Sequence, residues 1–183
     1  MNAVQEAGRP QESLGDLQLM ADEYARRYGS FHPETLYVNW MLWSNVGYCG
    51  DAAQSEQAIV QLGLILRAQR SQLGEAHPNL IGTLANLAST HAKLGRAVEA
   101  ARLDEECIDA ARQAFGIENP QTVAVACNAV RSAWDVGNYS GARSIFWSYL
   151  KWLLDAAPGE DSEPLHSMRS RAAEAAAYIG LQS

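Results

Sequence analysis

A short motif that occurs three times along this chain constrains its fold more than any other sequence feature. The copies read YGSFHPET from Tyr28, LGEAHPNL from Leu73 and FGIENPQT from Phe115. Their glycines are 45 and then 42 residues apart, and their prolines have the same spacing. A fixed period of this length is typical of repeat proteins, in which each repeat is one supersecondary unit that stacks on its neighbours. The sequence therefore predicts a short array of repeats.

Each repeat is predicted to contain two helices separated by a glycine. Proline suits the first turn of a helix, because its missing N–H group would have no intrahelical partner there. The motif prolines are Pro33, Pro78 and Pro120. A glycine follows each proline after 17 residues, which leaves room for about four to five helical turns. These glycines are Gly50, Gly95 and Gly137. The first helices are therefore predicted to end at Cys49, Leu94 and Val136.

The second helix of each repeat is predicted to follow the glycine directly. In the second and third repeats a small residue, Ala100 or Ala142, comes five positions after the glycine and lets two helices approach closely. In the first repeat the matching residue is Ala58, eight positions after Gly50, which predicts a three-residue insertion in the turn DAAQSEQ. The predicted buried stripes are Leu62, Leu66 and Leu73 in the first repeat, Leu103, Cys107, Ala111 and Phe115 in the second, and Ile145, Tyr149, Trp152 and Leu153 in the third.

Single helices are predicted on both sides of the repeats. Apolar residues at helical spacing, from Leu14 to Tyr28, predict a first helix that reads as the second half of a hairpin. It is either an N-terminal cap or part of a longer array. The segment PGEDSEP is a degenerate copy of the motif, and its Pro164 opens a last helix. The predicted organisation is a flexible arm (1–11) and a repeat domain (12–180), the latter divided into an orphan helix (12–29), repeats at 30–74, 75–116 and 117–158, and a capping helix (164–180).

The overall charge and the cysteines restrict the class of partner and the compartment. The chain has a formal net charge of −7 and a pI near 5.0, which argues against a nucleic-acid or anionic-membrane partner, because both require a basic face. The chain has an odd number of cysteines, Cys49, Cys107 and Cys127, and no CxxC pair, as expected for reduced thiols. No stretch approaches the ~18 apolar residues of a membrane span, and no signal-peptide core is present. We therefore expect a soluble cytoplasmic protein, or a piece of one.

The second repeat carries a family resemblance. Its residues are GEAHP at Gly74–Pro78, NLA at Asn86–Ala88 and LG at Leu94–Gly95, followed by Ala100 and Cys107. At these positions the sequence resembles tetratricopeptide repeats, most of all the 42-residue kind of kinesin light chains, which is also abundant in actinobacterial signalling proteins. The resemblance implies an all-α, right-handed solenoid of antiparallel helical hairpins, with about three full repeats plus flanking or capping helices. A HEAT-like solenoid has a compatible period, but the recurrent motif and the mid-hairpin glycine favour the tetratricopeptide interpretation.

The resemblance also implies a binding surface, because in this family the first helices of successive hairpins line a concave face. The corresponding groove positions are Tyr37, Trp40, Ser44 and Tyr48 in the first repeat, Ala85, Ser89 and Lys93 in the second, and Cys127, Arg131, Trp134 and Asp135 in the third. Their spacing puts each set on one face of its helix. Core packing is the alternative for Trp40, Trp43 and Trp134. In the second repeat two residues depart from the family pattern, His91 at an aromatic position and Asp104 at an apolar one.

Catalytic and metal-binding interpretations have weaker support. His32 and His77 recur at equivalent positions of the motif, so a role in the turn explains them better than a shared site does. No pair of histidines has metal-ligand spacing. Cys107 is expected to be a buried thiol, and Cys127 either packs inertly or faces the groove. The acidic run that begins at Asp104 is interpreted as a solvated helix face. We therefore predict no catalytic residue, metal or cofactor.

The function predicted from these features is non-catalytic binding of a protein or peptide in the concave groove. No nucleic acid and no membrane are expected among the partners. Two other functions stay open: a sensor or autoinhibitory arm of a larger signalling regulator, and a self-association module that forms a homodimer. An enzyme with its site in the concave channel, using Cys127, His91 and Asp135, is the remaining alternative.

Overall fold

The computed structural model describes residues 10–75, 77–155 and 162–181, and their regular structure is α-helical throughout. The helices are α1 (Pro10–Tyr28), α2 (Pro33–Cys49), α3 (Ala52–Leu73), α4 (Pro78–Lys93), α5 (Ala97–Phe115), α6 (Pro120–Asp135), α7 (Tyr139–Tyr149), α8 (Lys151–Asp155) and α9 (Glu163–Tyr178). The all-α class is confirmed. Most of the predicted flexible arm lies outside the described residues, and its last two residues begin α1. In the described part of the chain, no helix is both long and apolar enough to cross a membrane.

The chain divides into two compact units, Met1–Gly74 and Glu75–Ser183. In the first unit α2 packs against both α1 and α3. Its core contains Ala21 of α1 and Val38 and Leu42 of α2. The partly buried residues around this core are Leu14, Leu17, Tyr24, Trp43 and Val46. The apolar stripe predicted for the first helix therefore packs as expected up to Tyr24, whereas Tyr28 is exposed.

The second unit contains helices α4 to α9. Here α5 packs against both α4 and α6, and α6 also contacts α7 and α9. The short α8 lies against α7 and α9. The largest fully buried side chains of this unit are Leu80, Leu84, Val123, Val130, Phe146, Leu150, Leu153 and Ile179.

The first helices begin at the motif prolines as predicted, and the residue before each proline caps the helix. The first N–H groups of a helix have no intrahelical partner, so a side-chain acceptor at this position stabilises the helix start. Nδ1 of His32 accepts a hydrogen bond from the N–H of Glu34 at 3.3 Å, and Nδ1 of His77 accepts one from Asn79 at 3.2 Å. In α6 the cap is Asn119, whose Oδ1 accepts from Gln121 at 2.9 Å. The two histidines therefore have a role in the turn, as predicted.

The mid-hairpin glycines end α4 and α6 in a left-handed conformation, but the one after α2 does not. Gly95 has φ 74° and Gly137 has φ 80°. After α4, the N–H of Arg96 also donates to the carbonyl of His91 at 2.9 Å, which closes the helix end. Gly50 instead has φ −70° and is extended. A Cβ at Gly50 would lie 2.4 Å from the Val46 carbonyl oxygen, so space rather than backbone conformation requires glycine there.

The predicted three-residue insertion in the first turn is wrong. Only Gly50 and Asp51 separate α2 from α3, and the extra length lies inside α3, which has 22 residues against 19 in α5. The small residue five positions after Gly50 is Ser55, which is fully buried and donates its Oγ–H to the carbonyl of Gly47 at 3.3 Å. A serine fills the close-packed position because its hydroxyl finds a backbone acceptor. Ala58, the predicted equivalent, is also buried one turn later.

The predicted buried stripe of the third repeat is also corrected. The buried residues are Ala142, Phe146, Leu150 and Leu153, whereas Ile145, Tyr149 and Trp152 are only partly buried. Tyr149 donates its hydroxyl to Oδ1 of Asp109 at 3.3 Å, and Trp152 donates its indole N–H to the carbonyl of Tyr149 at 2.9 Å. Aromatic side chains with a polar group tend to lie where that group finds a partner, which keeps these two near the surface.

The last helix, α9, begins at Glu163, one residue before the predicted Pro164, and the chain turns at Gly180 with φ 70°. Its buried side chains are Met168, Ala172, Ala175 and Ala176. Most of the linker that precedes it, residues 156–161, lies outside the described residues.

The capping role of the motif histidine can be tested by replacing His77. His77→Ala removes the acceptor for the Asn79 N–H and is expected to lower the free energy of unfolding by about 1 kcal/mol. His77→Asn is the matched control, because asparagine fills the same role before α6. Urea unfolding of the three proteins measures both changes. Equal destabilisation in both variants would contradict the capping role.

Packing of α4 predicts a larger loss for Leu87, which is 4% exposed. Leu87→Ala leaves a cavity and is expected to lower the free energy of unfolding by ~2–5 kcal/mol. Val98, on α5, is 69% exposed, so Val98→Ala is the control and is expected to change it by less than ~0.5 kcal/mol. A loss below ~1 kcal/mol for Leu87→Ala would contradict its place in the core.

Candidate functional site

In the first unit the four predicted groove residues share one face of α2. Tyr37 and Tyr48 are exposed, whereas Trp40 and Ser44 are partly buried. The rings of Tyr37 and Trp40 stack with their centroids 5.7 Å apart and an interplanar angle of 28°. The indole Nε1 of Trp40 is buried and has no hydrogen-bond partner among the residues that the structure describes. Trp43, in contrast, packs against the core of α1 and α2. Core packing is therefore the role of Trp43.

In the second unit the predicted groove residues differ in their exposure to solvent. Ser89 and Lys93 of α4 are exposed, but Cys127 of α6 is buried. Trp134 is partly buried and meets Tyr139 of α7 edge-on, with centroids 4.5 Å apart. The guanidinium carbon of Arg143 lies 5.9 Å from the centroid of the Trp134 ring. Trp134 therefore belongs to the contact between α6 and α7.

Three predicted groove residues of α6 contact α9. The thiol of Cys127 donates to the carbonyl of Arg171 at 3.6 Å. Nη2 of Arg131 lies 3.4 Å from Oε2 of Glu174. Asp135 accepts a hydrogen bond from the hydroxyl of Tyr178 at 2.6 Å. The position of α9 along this side of α6 was not predicted, because the contacts join residues more than 40 positions apart.

A polar cavity of about 260 Å³ lies between α4, α5 and α6 in the second unit. Its lining residues are Ala85, Ala88, Ser89 and Ala92 of α4, Asp104 of α5, and Asn128, Arg131 and Ser132 of α6. Three of the predicted groove residues, Ala85, Ser89 and Arg131, line this cavity. The structure adds Asp104, Asn128 and Ser132, which the sequence analysis had not assigned to a binding site.

Asp104 is the most buried polar side chain of this cavity. It is 6% exposed and accepts a hydrogen bond from Oγ of Ser132. Burial raises the pKa of its carboxyl from 3.8 to about 6, and the Ser132 hydroxyl opposes that rise. The interpretation of the acidic run as a solvated face is therefore wrong for Asp104, although it holds for the exposed Glu105. The departure of Asp104 from the family's apolar position was the signal that marked it.

The buried thiols are poorly suited to nucleophilic chemistry. Burial raises the pKa of Cys107 to about 12, with a further rise from the Asp104 charge, and raises that of Cys127 to about 11. Both thiols are therefore protonated at neutral pH, whereas the thiolate is the nucleophile. Cys127 and Asp135 are eight residues apart on α6, or about 12 Å along the helix, so they do not share one reaction centre. In the described part of the chain, no group of three metal-ligating side chains could hold an ion.

The raised pKa of Asp104 predicts how stability depends on pH. The folded-state pKa of about 6 exceeds the ordinary value of 3.8. The stabilisation from protonating Asp104 is therefore present below about pH 4 and lost as the pH rises through about 6. Two pKa units correspond to roughly 3 kcal/mol. Relative to the wild type, Asp104→Asn is therefore expected to gain up to ~3 kcal/mol of unfolding free energy between about pH 4 and pH 7.5.

Urea unfolding of both proteins across this pH range measures the difference. Because other titrating groups are common to the two proteins, the difference reports Asp104. A difference that does not change with pH would contradict the raised pKa.

Comparison with known proteins identifies the repeats. Residues 80–121 match the family model of the tetratricopeptide repeat. Among solved structures, a protein from Podosopora anserina, assigned as a kinesin light chain with nearly identical TPR-like repeats, has a TM-score of 0.79 at 20% identity. The match covers 96% of this chain and 81% of that one. A variant of the same protein gives the same values.

BtubC (BKLC) from P. vanneervenii is similar over 94% of this chain and 75% of its own, with a TM-score of 0.57 at 14% identity. No curated protein matches this chain. At these identities the solved structures share the fold alone. Residues 80–121 therefore match the tetratricopeptide repeat family, and the chain as a whole shares the fold of the solved proteins with TPR-like repeats.

Proposed function

We propose that this chain is a non-catalytic binding module that holds a protein or peptide against its first helices. Repeat proteins of this kind present extended surfaces made by equivalent positions of successive repeats, and they use these surfaces for binding. The fold supports a scaffold role. The protonated thiols of Cys107 and Cys127 weigh against a nucleophilic enzyme.

The observation that carries the proposal is the exposed aromatic face of α2. Tyr37 is 47% exposed and Tyr48 is 80% exposed, and Tyr37 stacks on Trp40. Large aromatic side chains provide contact area at a low entropic cost, and they are enriched among the residues that dominate binding energy.

In the second unit the equivalent positions are proposed as a binding face of their own. Ser89 and Lys93 of α4 correspond to Ser44 and Tyr48 of α2 at the 45-residue spacing, and both are exposed. Arg131 is the further groove position on α6, where it is partly engaged by Glu174. We propose Cys127, Trp134 and Asp135 as supports of this surface, because they contact α7 or α9.

We place the module in the cytoplasm, because the free cysteines Cys49, Cys107 and Cys127 fit a reducing compartment. A place in bacterial signalling and self-association into a homodimer remain alternatives for its wider role. Neither requires a different binding face.

The test is a quantitative pull-down from extract of the source cells, with bound proteins measured by mass spectrometry. Tyr37→Ala/Tyr48→Ala removes the exposed aromatic face and is expected to weaken a genuine partner at least fivefold, or ~1 kcal/mol. Val60→Ala/Val98→Ala is the matched control, because these residues are 60% and 69% exposed on the second helices α3 and α5. A partner that is lost with the control and kept with the tyrosine variant would overturn the proposal.

A further inference from the structure

We infer that the cavity between α4, α5 and α6 binds a cationic side chain, the ammonium of a lysine or the guanidinium of an arginine, which pairs with Asp104. The inference deepens the proposed function, since the side chain would belong to the bound protein or peptide. It can nevertheless be tested with small cations in the absence of any partner.

The first support is the state of Asp104 itself. A buried carboxylate is unfavourable unless it is paired. Asp104 has the Ser132 hydroxyl as a donor, but a carboxylate can accept about four hydrogen bonds. Arg131 is the cation that shares the cavity, and its Nη2 pairs with Glu174 of α9 instead. A ligand cation would supply the missing charge.

The second support is the shape of the cavity. Its wall on α4 consists of Ala85, Ala88, Ser89 and Ala92, whose short side chains leave the space open. The volume of about 260 Å³ is below the ~300–1,000 Å³ of pockets for drug-sized ligands. It therefore has room for one long side chain.

The third support is the set of polar groups around Asp104. Ser89, Asn128 and Ser132 add hydroxyl or amide oxygens to the lining. An ammonium carries three N–H donors and a guanidinium carries five, so either can use these oxygens together with the carboxylate. An anion is disfavoured, because Asp104 would repel it and the Arg131 charge is already shared with Glu174.

Ligand binding is expected to be linked to the ionisation of Asp104. Among the lining residues the other charged side chain is Arg131 of α6, and α4 contributes alanine and serine. The thiol of Cys107 on α5 interacts electrostatically with Asp104, and α4 also carries the titratable side chains of His91 and Lys93. A cation favours the ionised carboxyl, so affinity should be highest above about pH 6 and decline as Asp104 takes up its proton.

The experiment is a titration of the whole chain, followed by amide chemical shifts in NMR spectra. The probes are butylammonium and butylguanidinium, with butyrate and butanol as the anionic and neutral controls of the same chain length. At pH 7.5 at least one cation is expected to shift the amides of Ser89, Asn128 and Ser132 saturably, and the titration midpoint of the Asp104 carboxyl is expected to fall. Tighter binding of butylammonium would indicate a lysine site, and tighter binding of butylguanidinium would indicate an arginine site.

Two variants make the test decisive. Asp104→Asn keeps the size of the side chain and is expected to weaken the cation about tenfold or more, because a charge-assisted hydrogen bond is lost. Ala92→Leu, at an exposed lining position, is expected to block the cavity while it leaves the carboxyl in place.

Three results would overturn the inference: unchanged cation binding in Asp104→Asn, saturable shifts with butyrate but not with the cations, or no saturable shift with any probe. A failed titration together with a partner that depends on Tyr37 and Tyr48 would reject only the cation site. A successful titration together with an unaffected partner would reject only the aromatic face.

Discussion

The start of each first helix is the constraint on which the rest of the structure depends. Its N–H groups lack partners inside the helix, and the motif meets this requirement with a capping side chain followed by proline. His32, His77 and Asn119 thereby fix the residue at which α2, α4 and α6 begin. Because a helix turns by a constant angle per residue, a fixed start also fixes which side chains face the core and which face solvent. The shared face of Tyr37, Trp40, Ser44 and Tyr48 follows from this local chemistry.

Local chemistry is also the limit of what the sequence could predict. Proline and glycine placed the ends of α2, α4 and α6 within one residue, because caps and turns involve neighbours in the chain. The predicted insertion before α3 was wrong, because a buried serine cannot be told from a surface serine by sequence. Ser55 is buried because its hydroxyl donates to the carbonyl of Gly47. The position of α9 along α6 was not predictable either, because its contacts join distant residues. In the sequence, Asp104 was visible only as a charged residue at an apolar position of the repeat family. Its surroundings are formed by α4, α5 and α6 together, which the sequence does not show.

The two candidate binding features differ in what they require from the fold. The aromatic face of α2 is exposed and needs little support beyond the helix that carries it. The Asp104 carboxyl is buried, and burial disfavours its ionised form, which is why its pKa is raised. A protein generally tolerates such a residue at the expense of stability where binding uses it. The cavity between α4, α5 and α6 thus combines a buried carboxyl with small residues on its α4 wall.

The alanine-rich face of α9 has a consequence for solubility. Ala172, Ala175 and Ala176 supply much of its buried side. Other residues of α9 contact Arg131, Asp135 and the thiol of Cys127 on α6. Separation of these two helices would uncover methyl groups and polar atoms instead of a broad surface of large apolar side chains. Large exposed apolar patches are what promote aggregation. The small side chains of α9 therefore limit the large apolar surface that a separation of α9 from α6 would expose.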